Sequence, residues 1–227
     1  MMRHRAGRIR LGRRVGAIAA HLRATLSGFA VHATATAAVE FAMVLPVMLI
    51  VYLGSVAVGG AVTADRKLSN LSLTLANLTA RATAALQDSD LNGIFNASAA
   101  ILLPYDSTQA GMVVSSIVFD TPVPAGSRTP NAYVVWSTAS GTGATALTPS
   151  CLTNLSSTLV PNNIRTPGGS VILAQAVFPY RPVVGYVISG TINLSENDFM
   201  VPRNMSSVPR TDSSGTTHST CVAGVLT

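Results

Sequence analysis

The sequence predicts an α+β protein in which a long N-terminal transmembrane helix continues into an amphipathic helix, packed on a small antiparallel β-sheet head. Three observations predict it. Residues Phe41 to Val62 form a run of 22 without a formal charge. A helix of that length extends about 33 Å, enough to cross a hydrocarbon core of about 30 Å. Directly after it, Leu68, Leu71, Leu75, Leu78 and Ala82 recur at steps of three and four, a narrow apolar helical stripe. The remainder alternates Val-, Ile-, Tyr- and Phe-rich stretches with Pro, Gly and Asn clusters, which reads as strands and turns. The 227 residues therefore divide into a basic leader (1–35), a membrane helix (36–62), an amphipathic helix (63–90) and a β-rich head with a polar C-terminal tail (91–227).

The leader carries the charge imbalance. Residues 1–39 hold seven arginines and no acid, whereas residues 63–227 hold eight basic and eight acidic side chains. The sequence pI near 10 thus describes a tail and not a basic domain. Beside a membrane span, the arginines set topology: they stay in the cytoplasm, next to membrane lipid, and the C-terminal part crosses. A nucleic-acid partner is not expected, because the tail has no aromatic before Phe29 on which a base could stack.

A cleaved secretory signal is disfavoured, because the apolar run exceeds the usual 7–15-residue core and lacks a small-x-small site after it. Pro46 removes one backbone donor and is expected to kink the span. Glu40, at the lip of the run, has two readings. A carboxylate beside a span is costly and usually functional; alternatively, it rests at the headgroup level near the helix start, favoured by the N-terminal dipole.

The helical pattern is expected to continue from about Thr36 to about Leu86, with a break at Asn92-Gly93. The face formed by Leu68, Leu71, Leu75 and Leu78 is expected to pack on the chain's own head or on partner helices. Strands are expected at 112–120, 131–138, 170–180 and 183–194, with the last two adjacent and antiparallel about Arg181-Pro182. Cys151 and Cys221 both fall on the translocated side, where an isolated pair is most simply a disulfide. Two unpaired thiols are the alternative, because spacing alone does not bring the Cα atoms together.

Catalytic chemistry is hard to assemble. Three of the four histidines precede the span, leaving His218, three residues from Cys221 and without a further ligand pair. Glu196 and Asp198 are the only close acid pair in the sheet region, and "LSENDF" reads as turn chemistry after a strand. "SGTGAT" (140–145) lacks the third glycine of a dinucleotide fingerprint, and neither a phosphate loop nor a nucleophile elbow occurs. No enzyme, cofactor or metal is expected.

The stretch "AAVEFAMVLPVMLIVYLGSVAVGGAV" resembles the opening of the TadE/TadG-like proteins of bacterial tight-adherence (Flp, type IVc) pilus systems. The resemblance covers about residues 34–67 and rests on a basic leader, Val-Glu-Phe-Ala, and a span with Leu-Pro near its start. A weaker likeness lies in "FPYRPVVGYVISGTINLSENDFMVPR" (178–203). The resemblance implies a pseudopilin or accessory protein of a pilus secretion machine, anchored once in the inner membrane with a periplasmic head. It also implies other pilus subunits as partners, and a prepilin-type aspartyl peptidase that cuts five residues before the glutamate. On this chain that bond is Ala35–Thr36, with Ala35 where the family usually has glycine. The new Thr36 amine and Glu40 of neighbouring subunits would then pair and set an assembly's register. A reading from another class is a membrane-anchored periplasmic module, its sheet face or Trp136 region binding a cell-wall or glycan ligand.

Overall fold

The computed structural model describes residues 33–122, 128–182, 190–222 and 225–226. It divides into two units, residues 1–55 and 56–227. Helix α1, Ala33–Ala80, runs through both as one element that contains Pro46. In the first unit every residue from Thr36 to Tyr52 is exposed.

The second unit is an α+β head. Strands β1 (Gly111–Phe119), β2 (Ala132–Ser140), β3 (Ser170–Tyr180) and β4 (Ile192–Met200) form one antiparallel sheet in the order β2-β1-β3-β4. The expected neighbours β3 and β4 are paired, but the last strand lies further along the chain than the 183–194 expected of it. Residues 183–189 fall outside the described residues, and Gly190-Thr191 precede the strand. Glu196 and Asp198 are accordingly strand residues, opposite Ala176 and Ala174, and not a turn.

Each face of the sheet carries a core. On one face, Met112, Val114, Ile172, Ala174 and Phe178 pack against α1 and against helix α2 (Asp88–Ala99). On the other, Ile117, Phe119, Val171 and Leu173 lie beneath Val160, Leu155 and Leu159 of the long β2–β3 connection. β1 is consequently buried along its whole length, which is why its sequence shows no period-two alternation. A bulge opposite Ser116/Ile117 lets both Val135 and Trp136 join the helix-side core. The covering connection is organised by Arg165, whose guanidinium donates to the carbonyls of Val160, Leu155 and Pro130 and to Asn154 Oδ1. Burial lowers its pKa, and its fork of donors replaces water with fixed acceptors.

α1 ends at Ala80, about six residues before the expected end. Its last free carbonyls are met from far along the chain. The Arg203 N–H donates to Ala80 O at 3.0 Å, and Asn204 Nδ2 donates to Arg81 O at 2.9 Å, closing groups that a helix end leaves unsatisfied. Leu86, expected to be helical, instead bridges Arg210. Asn92-Gly93, expected as a break, lies inside α2. That helix begins where the Gln87 N–H is accepted by Asp90 Oδ2 at 2.9 Å, half of a capping box.

The C-terminal segment adds two short hairpins, β5 (Arg210–Thr211) with β6 (Thr217–His218), and β7 (Cys221–Val222) with β8 (Val225–Leu226). A disulfide joins Cys151 to Cys221, with Cα atoms 5.5 Å apart, so the chain's end is tied to the middle of the head.

Candidate functional site

Function concentrates on α1, because one backbone meets two environments along it. In the first unit Phe41, Met43 and Tyr52 are 61%, 75% and 64% exposed. Seventeen consecutive exposed residues, most of them apolar, are a surface that water does not tolerate and lipid does. α1 is accordingly the one helix, among the described residues, long and apolar enough to cross a membrane.

Glu40 sits in this unit with seven residues of α1 ahead of it. The favourable field of a helix N-terminus fades within the first turn, so the dipole reading does not reach Glu40 in the uncut chain. Its carboxylate makes no hydrogen bond or ion pair among the described residues. The Ala35–Thr36 bond lies within α1, close to where the described residues begin.

The packed part begins at Ala57, which is 4% exposed, five residues before the apolar run ends. Gly60 lies under Tyr180, and a Cβ there would collide with the tyrosine hydroxyl. Tyr105 stands edge-on to Tyr180, with ring centroids 5.9 Å apart, and its hydroxyl donates to Gly60 O at 3.3 Å. Burial, then the neighbouring Tyr105, raises the Tyr180 hydroxyl above the ordinary tyrosine range. Lys67 Nζ donates to Leu103 O at 2.6 Å and to Ile101 O at 3.3 Å, fixing the turn after α2 to the same helix.

Of the expected packing face, Leu68, Leu71 and Leu75 are completely buried, whereas Leu78 is only half-buried. Leu78 is therefore corrected to the flank, and Thr79 and Ala80 take its place. The face packs on the chain's own sheet: Ser72 Oγ donates to Ala174 O at 3.3 Å across the contact. Sequence reasoning missed Ser72 and Thr79 because they are polar. Thr79 Oγ1 donates to Leu75 O within its own helix, so its burial leaves nothing unsatisfied.

The expected ligand-binding region does not form at Trp136. That ring is 1% exposed and its indole N–H donates to Val208 O at 2.7 Å. Among the described residues no three metal-ligating side chains converge. Cys221 is in the disulfide, and His218 Nε2 lies 3.3 Å from Asp212 Oδ2. The Asp212 carboxyl, which accepts from Ser214, Thr216 and His218, is pulled down to about 2.

A family model described as TadE-like protein matches residues 35–76. The match extends the resemblance from the span through Leu68, Leu71 and Leu75, and takes in none of the sheet. No curated protein and no solved structure matches the chain significantly.

Proposed function

Taking a TadE-like protein as the premise, we propose that the chain is a minor pilin or accessory assembly protein of a tight-adherence pilus, working by contact and not by catalysis. The TadE-like segment over residues 35–76 supports involvement in tight-adherence pilus assembly. The observation that carries this proposal is Glu40, a carboxylate without a partner among the described residues, inside a helix otherwise built for lipid. An ionised group there needs a counter-charge, and a Thr36 amine on a neighbouring subunit would supply it. The arginine leader would remain cytoplasmic and the head periplasmic. A prepilin-type peptidase cutting Ala35–Thr36 would create that amine.

Intact mass and N-terminal sequencing of the protein from native membranes test the processing step. A chain beginning at Thr36 supports the pilin role; a chain retaining its arginines moves the reading to a permanently anchored accessory protein. Glu40→Gln should leave membrane insertion intact and abolish incorporation into pilus complexes. Unchanged incorporation would sink the register role. The binding-module reading is favoured by one feature, a cleft of about 470 Å³ beside the disulfide, lined in part by Asp120, Tyr133, Ser170 and Ser206. Binding of soluble peptidoglycan fragments there, by a chain that does not associate with pilus subunits, would favour that reading instead.

A further inference from the structure

The two edges of the sheet are finished differently. At β2 the chain covers its own edge. The Ser150 N–H donates to Val134 O, the Leu155 N–H to Ala132 O, and Asn154 Oδ1 accepts from the Ala132 N–H. At β4, the described residues make no backbone hydrogen bond other than those to β3. β4 pairs nine consecutive residues without a register shift, and it contains neither proline nor lysine. Proteins usually blunt such an edge with one of those devices or with inward-pointing charges, because unpaired N–H and C=O groups template another strand; of these β4 carries only the inward charges, Glu196 and Asp198.

The side chains alternate as a strand's should. Asn193, Ser195 and Asn197 are exposed on one face, while Ile192, Leu194, Glu196, Asp198 and Met200 are half-buried on the helix side. Glu196 therefore lies between Leu194 and Asp198 on that side, opposite Ala176. Its carboxyl is pushed up first by burial, then by Asp65 of α1 and by Asp198. Asp198 Oδ2 is buried and has no hydrogen-bond partner. None of the three carboxylates forms an ion pair among the described residues. Among the described residues, the head thus keeps negative charge without an ion-pair partner beside a backbone edge that only β3 pairs.

We propose that β4 is a docking edge for a β-strand of a partner protein that carries lysine or arginine on its inward-facing side. Added antiparallel or parallel, such a strand would satisfy the outward backbone groups of β4, as in other cases of strand addition. It would also set its cations between Asp65, Glu196 and Asp198, so that charge selects the partner. A second copy of this chain, docked edge to edge, would bring like carboxylates together and is rejected. The proposal is independent of whether the leader is cut.

Backbone hydrogen exchange on the full chain in neutral detergent tests it, with two nine-residue peptides as probes. One carries lysine at alternate positions, and the other carries glutamate there. The lysine peptide is expected to slow exchange of the outward β4 amides at least tenfold, leaving β2 unchanged, and the glutamate peptide to leave both unchanged. Glu196→Gln with Asp198→Asn should weaken the lysine peptide at least tenfold, and Asp65→Asn, on α1 and not on the docking strand, should weaken it less. Circular dichroism checks that each variant keeps its fold. Three results overturn the proposal. No protection by either peptide makes the acids a guard on the edge. Equal protection by both removes charge selection. Protection of β4 that rises with protein concentration alone assigns the edge to a second copy.

Discussion

Leu49 and Leu71 lie on the same helix, yet Leu49 is 48% exposed and Leu71 is fully buried. The first belongs to a segment that is apolar on every side, the second to a segment with one apolar face and a polar back. A span can be apolar all round because lipid accepts every face and the helix satisfies its own backbone. The later segment must choose a face, because water meets the other side. The difference teaches that the two halves of α1 should answer the same mutation differently.

The largest expected effect tests that directly. Leu71→Ala should destabilise the head by about 2–5 kcal/mol, the usual cost of a large-to-small change in a core. Leu49→Ala should change head stability by less than about 0.5 kcal/mol. Chemical denaturation of both variants in detergent checks the pair, and equal losses would erase the distinction. A smaller effect is expected at two adjacent glycines. Gly60→Ala pushes a methyl into the Tyr180 hydroxyl and should cost about 1–2 kcal/mol. A Cβ at Gly59 meets nothing, so Gly59→Ala should be neutral or stabilise by up to about 1 kcal/mol. Thermal unfolding separates them; a matching loss at Gly59 would place the boundary between the two environments elsewhere.

The smallest effect concerns Asp65, on the packed half. Because the Glu196 carboxyl is raised by burial, Asp65 and Asp198, the folded state disfavours its ionised form. Stability should be greatest below the carboxyl's ordinary pKa of about 4.3, fall as pH rises through the raised folded value, and stay lower at neutral pH. Glu196→Gln should remove that fall, and Asp65→Asn should reduce it. Unfolding midpoints measured from pH 4 to 7 check both, and an unchanged slope in both variants would contradict this account.

The span was legible because the bilayer imposes a length and forbids charge. The stripe was legible as far as Leu75. A strict seven-residue repeat drifts by about 20° per heptad against a straight helix, so Leu78 slips to the flank while Thr79 keeps the buried line. The end of α1 could not be read locally, since no glycine or proline follows Ala80 and the cap comes from Arg203 and Asn204. β4 was hidden for a different reason. "LSENDF" alternates as a strand does, but acids occupy the inward positions where apolar residues announce one. The four-stranded antiparallel head and the disulfide were both readable in outline, from β-rich segments and from two cysteines on one side of a span. The partial burial of the Glu196 and Asp198 carboxylates was not, because it depends on α1 crossing the sheet beside them.

The distant cap on α1 also has a consequence in time. Asn204 and Arg81 are separated by 123 positions in the chain. At roughly 5–20 residues per second, a ribosome needs roughly 6–25 s to make the intervening segment. The membrane anchor is thus available for insertion long before its own final turn can be closed. During that interval β1 and β3 must wait for β4 and the 203–204 segment to arrive, with their apolar faces incompletely covered. The head is therefore a late-maturing structure whose assembly depends on synthesis of nearly the whole chain.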